Sequence, residues 1–141
     1  MPSSLQEIGV QAFAECTDLE EVVLNEGLQT IDTSAFRECE QLRSISIPST
    51  VTEINPFAFA GCSALEQIVV SPDNPRYSSP DKCNAIVERG TKILVAGCQN
   101  TIIPENVEEI CDGAFSRIES LKAIVIPDSV TEIGDDAFYE C

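Results

Sequence analysis

The sequence predicts an α/β fold, a solenoid in which short coils of chain stack around a parallel β-sheet. The first observation is the dipeptide Ala-Phe, whose first three copies are 23 residues apart, as are its last two. The second is a cysteine three residues after the Phe in four of the five copies. The third is an alternating apolar pair with the same period, and such self-similarity indicates stacked repeats. The dipeptides are Ala12-Phe13, Ala35-Phe36, Ala58-Phe59, Ala114-Phe115 and Ala137-Phe138.

The first element of each coil is predicted to be a short strand. Apolar residues stand two positions apart, as at Ile45 and Ile47, which is typical of a strand with one buried face. Proline follows at Pro48, Pro104 and Pro127 and ends the strand, because it lacks the N–H that a sheet requires. Equivalent strands are expected to stack in register about 4.8 Å apart. The pairs are Val22/Leu24, Ile45/Ile47, Ile68/Val70, Thr101/Ile103 and Ile124/Ile126.

Two further elements complete the coil. Residues 51–54 and 130–133 read Val-Thr-Glu-Ile and are rich in β-branched residues, which predicts a second short extended piece. The segment Ala-Phe-x-x-Cys-x-x-Leu then places apolar residues at helical spacing, which predicts one or two turns of α- or 3₁₀-helix. One coil cannot bury these residues alone, so equivalent residues of neighbouring coils are expected to form the core.

The coil at 65–97, which we call the long coil, breaks the period. It is ten residues longer than the others, lacks Ala-Phe, and has Tyr77 in the place of the repeated isoleucine. Two β-like runs, 83–87 and 92–96, flank Glu88-Arg89-Gly90-Thr91, a sequence suited to a hairpin loop. We predict an inserted β-hairpin that replaces a helix and projects from or caps one side. It is either a functional loop or a spacer that alters the curvature of the array.

The domain organisation follows from the repeat. We expect a single domain over residues 1–141, with a partial coil at its start, an incomplete coil at its end, and no polar capping coil at either. We therefore expect a fragment of a longer array, whose signal peptide lies outside this sequence, with end-to-end self-association as an alternative. The coils are 1–18 (partial), 19–41, 42–64, 65–97, 98–120 and 121–141 (incomplete).

Composition restricts the function. The net charge is −16, from 24 acidic and 8 basic residues, which disfavours nucleic acid and anionic lipid as partners. No apolar run reaches the roughly 20 residues that cross a bilayer, so no direct membrane insertion is expected. The chain has no histidine, no G-x-x-x-x-G-K-[ST] and no G-x-G-x-x-G, and so lacks the commonest general base and a phosphate cradle. We expect no enzyme activity and no cofactor.

The seven cysteines fall into two groups. Repeat-position cysteines point the same way one coil apart, whereas a disulfide requires facing Cβ atoms about 3.8 Å apart, so buried free thiols are favoured. Cys83 and Cys98 flank the predicted hairpin, and either a disulfide between them or two free thiols is compatible with the sequence. No C-x-x-C occurs, so zinc is not expected. The repeat-position cysteines are Cys16, Cys39, Cys62 and Cys141.

The outward side of the predicted strands is the candidate partner-binding site. An exposed and mostly apolar row can mark a protein-binding surface, although strand propensity alone also favours β-branched residues there. We call the row and its polar neighbours the strand face: Val23, Ser46, Val69, Ile102 and Val125, with Glu20, Arg43, Glu66, Gln99 and Lys122. A second, mostly acidic ladder would attract a basic partner or Ca²⁺, or simply be solvated. It consists of Glu7, Thr30, Glu53, Glu109 and Glu132.

The repeat resembles that of the BspA-like leucine-rich-repeat family. The residues that carry the resemblance are 42–48 (Leu-Arg-Ser-Ile-Ser-Ile-Pro), 51–54, Ala58-Phe59 and Cys62, and the long coil is similar through 74–79 and 83–86. The resemblance covers essentially the whole chain and implies a right-handed β-α superhelix, the leucine-rich-repeat solenoid. The chain departs from the pattern at Asn25, Ser71, Thr101 and Ile118.

The family also implies a function. Its members are typical of surface or secreted proteins of anaerobic and host-associated bacteria, and they are thought to attach to host or neighbouring-cell proteins. No catalytic or binding residue is carried over with the resemblance. We therefore expect a non-catalytic adhesion or protein-interaction module at a cell surface or secreted. The alternatives are a structural spacer or stalk with no specific ligand, and an enzyme whose catalytic domain lies outside this chain.

Overall fold

The computed structural model describes all of residues 1–141, which form a β-solenoid of about six turns. Its strands are short because each coil must turn after a few residues, and most contain only two residues. The strands are β1 (Glu7–Ile8), β2 (Thr30–Ile31), β3 (Ser44–Ile47), β4 (Glu53–Ile54), β5 (Gln67–Val70), β6 (Tyr77–Ser78), β7 (Ala85–Glu88), β8 (Ile93–Gly97), β9 (Glu109–Ile110) and β10 (Glu132–Ile133).

Parallel pairing places each residue beside its equivalent in the next coil. In the sheet β1-β2-β4, Ile31 pairs with Ile54, and in the sheet β3-β5, Ile45 pairs with Ile68. Both β3 and β5 alternate exposed and buried residues, as the spacing of their apolar pairs predicts. The predicted in-register ladder is thus confirmed for these two coils. In the other coils, the residues equivalent to β3 and β5 are not part of regular strands.

The predicted helices are absent, so the α/β fold expected as a β-α superhelix with short helices is wrong. Turns occupy every Ala-Phe segment, and the one helical element is a single 3₁₀ turn at Pro80–Lys82 in the long coil. In the first coil, Gln11 and Glu15 have φ values of 57° and 61°, which an α-helix does not allow. The same two positions of the turn have positive φ in every other coil with Ala-Phe.

The hydrogen bonds explain why turns replace helix. In a helix every N–H would bond within its own segment. Here the Phe13 N–H donates to the carbonyl of Ala35 in the next coil at 2.8 Å, and the Glu15 N–H donates to Arg37 at 2.7 Å. Between them, the Ala14 N–H closes a turn onto Gln11 at 3.0 Å. Alternate donors thus join the coils, and the residues with positive φ permit this alternation.

The repeated phenylalanines stack into a ladder inside these turns. Phe13 lies over Phe36 with ring centroids 5.2 Å apart, and Phe36 lies over Phe59 at 5.7 Å, with the rings nearly parallel. The ladder stops at the long coil and resumes with the pair Phe115 and Phe138 at 5.0 Å. At the break, the Phe115 ring covers Gly97, where a Cβ atom would lie 2.1 Å from the ring.

The repeated cysteines lie beside the phenylalanines as free thiols. The Cys39 Sγ donates to the carbonyl of Phe13 at 3.1 Å, and the Cys62 Sγ donates to that of Phe36 at 3.2 Å. The prediction of buried free thiols is confirmed for these two, whereas Cys16 and Cys141 in the end coils are exposed. Each buried thiol therefore fills core space and bonds to the preceding coil.

The predicted hairpin is confirmed, but its predicted position outside the solenoid is wrong. Strands β7 and β8 are antiparallel, and β8 also pairs in parallel with β9, so that Leu94 lies beside Ile110. The hairpin thus belongs to the five-stranded sheet β10-β9-β8-β7-β6. Because the long coil has no Ala-Phe turn, the turns of the coils on either side meet, and the Gly61 N–H donates to the Ser116 carbonyl at 2.9 Å.

The hairpin separates two hydrophobic cores. Ile86 and Ala96 pack into the core that the N-terminal coils form, whereas Ala85, Val87 and Leu94 pack into the core of the C-terminal coils. All five side chains are buried. A hairpin with apolar residues on both faces cannot project into solvent without exposing one of them, which is the physical reason for its position.

Asn74 and Tyr77 attach the long coil to the coil before it. The buried Asn74 amide donates to the carbonyls of Pro48 and Val51, both at 2.8 Å, and its oxygen accepts the Tyr77 N–H at 2.7 Å. The Tyr77 hydroxyl accepts the Ile54 N–H at 3.0 Å. A side chain thus takes the place of the next backbone partner of β4, and the sheet β1-β2-β4 ends there.

We predict that Phe36→Ala lowers the free energy of unfolding by about 3–5 kcal/mol, because it removes a fully buried ring from the middle of the ladder. Phe13→Ala is the matched control, since this ring is only half-buried and stacks on one neighbour. Urea-induced unfolding followed by circular dichroism measures both. If the two variants lost the same free energy of unfolding, the stacked arrangement of the phenylalanine rings would be contradicted.

We predict that iodoacetamide modifies Cys16 near neutral pH but leaves Cys39 and Cys62 unmodified in the folded protein. Burial raises the pKa of Cys39 to about 11 and also raises the pKa of Cys62, and the thiolate is the reacting species. Mass mapping of peptides after a short pulse measures this, with labelling in denaturing urea as the control. Labelling of Cys39 as fast as Cys16 would show that the coils do not stack as described.

Candidate functional site

The structure exposes nine of the ten strand-face residues, and the tenth, Gln99, is half-buried. The exposed fractions are 59% for Val23, 43% for Val69, 74% for Ile102 and 83% for Val125. Ser46 lies directly beside Val69 in the register of β3 and β5. Because a folded chain normally hides such side chains when it can, the row is an apolar surface available to a partner.

The row is not continuous, because a segment of the long coil lies between Val69 and Ile102. The Ser79 hydroxyl donates to the carbonyl of Ile68 at 3.1 Å on one side. On the other side, the Ile102 N–H donates to the carbonyl of Cys83 at 3.0 Å. We call residues 79–84 the insert. The structure therefore brings Ser46 and Val69 together and separates Ile102 from them by one chain width.

Three surface grooves follow the strand face. One of about 230 Å³ lies between Ser46, Val69 and Pro48, and one of about 380 Å³ lies between Val69 and the insert, lined also by Lys82. A third, of about 380 Å³, lies on the other side of the insert and is lined by Ile102. Small open grooves beside exposed apolar side chains suit the side chains of a protein partner better than an enclosed small molecule.

The sequence did not identify the insert residues Ser79, Lys82 and Asn84 as part of this surface. The only available signal was the extra length of the long coil, which shows that additional chain must be placed somewhere. It does not show on which face that chain lies, since this depends on which backbone groups of the neighbouring coils are free to accept it.

Buried polar groups hold the insert against the extended segment that carries Ile102. The Thr101 hydroxyl donates to the carbonyl of Asn84 at 2.6 Å and accepts the Cys98 N–H at 2.8 Å. Thr101 is buried, so both bonds are shielded from water. The threonine that interrupts the apolar repeat pattern is therefore the residue that positions the insert.

Cys83 and Cys98 are buried free thiols in the structure, with separate hydrogen-bond partners. The Cys83 Sγ lies 3.7 Å from the Ser79 hydroxyl, and the Cys98 Sγ donates to the Asn84 carbonyl at 3.4 Å. Burial raises the pKa of both thiols. The disulfide between them stays a prediction.

The acidic ladder lies in register but in two parts. Glu7, Thr30 and Glu53 pair across β1, β2 and β4, and Glu109 pairs with Glu132 across β9 and β10. The hairpin lies between the two parts, since β8 is the next partner of β9. No group of three or more His, Cys, Asp or Glu side chains is placed to hold a metal ion.

A groove of about 470 Å³ lies on the turn side of the solenoid and is mostly polar. Of its four charged residues, Glu38 and Arg117 are paired, with Arg117 2.5 Å from Glu38 and 2.8 Å from Glu140, whereas Glu40 and Glu119 form no ion pair. No helix of the chain is long and apolar enough to cross a membrane. Of the large apolar side chains that are exposed, Val69 and Ile102 of the strand face line the grooves beside the insert.

Comparison with known proteins identifies the repeat. The family model for the BspA type leucine rich repeat region matches six copies over residues 1–79 and 95–141. Among solved structures, the pneumococcal vaccine antigen PcpA is 20% identical over 99% of this chain and 36% of that chain, with a TM-score of 0.81. A leucine-rich repeat protein from Bacteroides ovatus is 27% identical over 99% of this chain and 34% of that chain, with a TM-score of 0.62.

A leucine rich cell surface protein from Faecalibacterium prausnitzii is 24% identical over 98% of this chain and 49% of that chain, with a TM-score of 0.60. The chain therefore spans a third to a half of the length of these relatives. No curated protein matches it. The residues outside the family match, 80–94, include most of the insert and most of the hairpin.

We predict that Thr101→Val loosens the insert and lowers the free energy of unfolding by about 1–3 kcal/mol, because a shape-preserving change leaves buried polar partners without a hydrogen bond. Amide hydrogen exchange at Cys98 and Ile102 should be faster in this variant than in the wild type, as measured by NMR. Thr131→Val is the control, since the hydroxyl of Thr131 also donates to a carbonyl but is exposed. Unchanged exchange at both amides would show that Thr101 does not position the insert.

Proposed function

The chain belongs to the family of BspA-type leucine-rich repeat proteins, and we propose on that premise that it is a non-catalytic protein-interaction module. It acts at a cell surface or after secretion and binds proteins of a host or of neighbouring cells. Repeats of this family are typical of protein-interaction modules, and a structural relative bears the description of a cell surface protein. The binding surface is the strand face together with the insert.

The observation that carries the proposal is the exposed apolar row beside open grooves. Val69 and Ile102 lie on opposite sides of the insert, and both line grooves. Burying such side chains against a partner contributes about 1.5–3 kcal/mol each, which suffices for several of them to anchor an interface. Outside the strand face most exposed side chains are charged or polar, and they form a polar rim around this row, while Val10, Ile126, Ile133 and Tyr139 are exposed elsewhere.

Strand propensity gives the same residues a second explanation, since β-branched side chains are favoured on a strand whether or not a partner covers them. In that case the chain is a structural spacer or stalk with no specific ligand. The two functions differ in one measurable respect: only the interaction module binds a surface saturably through the strand face.

We predict that the double variant Val69→Glu with Ile102→Glu reduces binding more than tenfold without unfolding the protein, because two charges would have to be desolvated at the interface. Binding of the fluorescently labelled protein to cultured epithelial cells and to co-cultured bacterial cells measures this by flow cytometry. Circular dichroism verifies the fold.

Val10→Glu is the matched control, since Val10 is 61% exposed but lies outside the strand face. Binding that survives in the double variant would show that the strand face is the wrong surface. Equal loss in the control would show that binding depends on exposed apolar area in general. If no tested cell surface is bound saturably by the wild-type chain, the spacer function is favoured.

A further inference from the structure

The part of the long coil that follows β5 differs in charge from the rest of the chain. Residues 71–97 hold four of the eight basic residues but only three of the 24 acidic ones, so this segment carries +1 and the rest of the chain −17. Apart from this segment, the solenoid therefore presents a strongly acidic surface. The basic residues of the segment are Arg76, Lys82, Arg89 and Lys92.

Two of these residues line a groove of about 260 Å³ beside the hairpin loop. Arg89 and Lys92 lie on its wall together with Ser78, Pro80 and Asn106. Lys92 is half exposed and pairs with the equally exposed Glu108 at the rim. Arg89 is exposed and forms no ion pair, so its charge is available to a ligand.

Arg89 is held in place by backbone groups. Its Nε donates to the carbonyls of Asn74 and Tyr77 at 3.1 and 3.0 Å, and one terminal nitrogen donates to Pro72 at 3.5 Å. These bonds fix the guanidinium without neutralising it and leave its other terminal nitrogen free. A cation that is already ordered costs little further entropy when it binds an anion.

The one carboxylate in the groove, that of Glu88, is already engaged. Arg76 contacts it at 2.6 Å, and the Thr91 hydroxyl donates to its other oxygen. The hydrogen bond from Thr91, with that of Arg76, holds the pKa of Glu88 below its ordinary value. Glu88 is therefore ionised but paired, and Lys92 is paired with Glu108, so the groove retains one uncompensated positive charge, that of Arg89.

The groove continues to the strand face. Pro80 and Asn106 line both this groove and the neighbouring one that contains Ile102. The wall near Ile102 carries the acidic residues Asp81 and Glu105. A ligand along the two grooves thus meets positive charge at one end and an apolar side chain, flanked by negative charge, at the other.

We propose that this groove is the subsite for an acidic segment of a protein partner. Arg89 and Lys92 bind a carboxylate of that segment, and an apolar side chain next to the carboxylate rests against Pro80 and Ile102. This inference rests on the proposed function, because the partner reaches the groove from the strand face. The negative charge of the remaining chain disfavours a densely charged sulfated glycan, since most of such a ligand would face acidic surface.

An NMR titration tests the subsite with three probes: a short synthetic peptide of alternating Glu and Leu, the same peptide with Gln for Glu, and a heparin hexasaccharide. We expect the acidic peptide to shift the amide signals of Arg89, Lys92 and Asn106, with an affinity that falls as salt is added. The Gln peptide should bind roughly threefold to fivefold more weakly, the size expected for a surface charge pair.

We expect Lys92→Gln to weaken binding of the acidic peptide by the same factor and to leave binding of the Gln peptide unchanged. Lys92→Glu should weaken binding of the acidic peptide further. Arg117→Glu is the control, because it changes the net charge as much and also removes a partly exposed, ion-paired cation, but lies on the turn side, outside the strand face and the groove. Equal effects of Arg117→Glu and Lys92→Glu, tighter binding of the hexasaccharide, or no shifts at the groove would each overturn the inference.

The cell-binding assay separates this inference from the proposed function. If Lys92→Glu binds cells as the wild type does while Val69→Glu with Ile102→Glu does not, the acidic subsite is wrong and the strand-face function stands. If both variants lose binding and Arg117→Glu does not, the two proposals are supported together.

Discussion

Alternate N–H groups of the Ala-Phe turns at Phe13, Phe36 and Phe115 donate to carbonyls of the next coil, and the rest of the solenoid depends on these bonds. They hold neighbouring coils at one fixed separation, as in the bond from Phe13 to Ala35 at 2.8 Å and that from Phe36 to Ala58 at 2.8 Å. Only at a constant separation can identical side chains stack, and the phenylalanine rings and the cysteine thiols do so. The core is therefore a consequence of backbone pairing between coils, and the residues with positive φ make that pairing possible.

The long coil interrupts this pairing and creates the surface of interest. Without its own turn it leaves the turns on either side to meet directly, and its extra chain occupies two other places. The hairpin lies between the two cores, and the insert lies between β5, which carries Val69, and the segment that carries Ile102. One irregular coil thus supplies the grooves of the strand face and the excess of positive charge in an acidic molecule. The regular coils form a rigid frame, and the irregular coil supplies the grooves and charges that distinguish this surface.

Burial and strand positions were predictable because they follow from the spacing of apolar residues. The pairs at Ile45/Ile47 and Ile68/Val70 predict strands with one buried face, and β3 and β5 have it. The helices were not predictable in the same way. Apolar residues three apart, such as Phe13 and Cys16, indicate that both point inward, and a helix and a series of turns satisfy this equally. The difference lies in where the N–H groups bond, and the side-chain pattern contains no information on that.

The sequence by itself determined the repeat, the family, the residues of the core and the presence of a hairpin in the long coil. It also determined that the strand-face residues point outward, because strand alternation leaves them no other side. Only the tertiary structure decided that turns replace helices, that the hairpin is buried, and that the insert divides the apolar row. The physical reason is common to all three. Each depends on which backbone donors and acceptors of neighbouring coils remain free, and that is a property of the stacked coils and not of any single repeat.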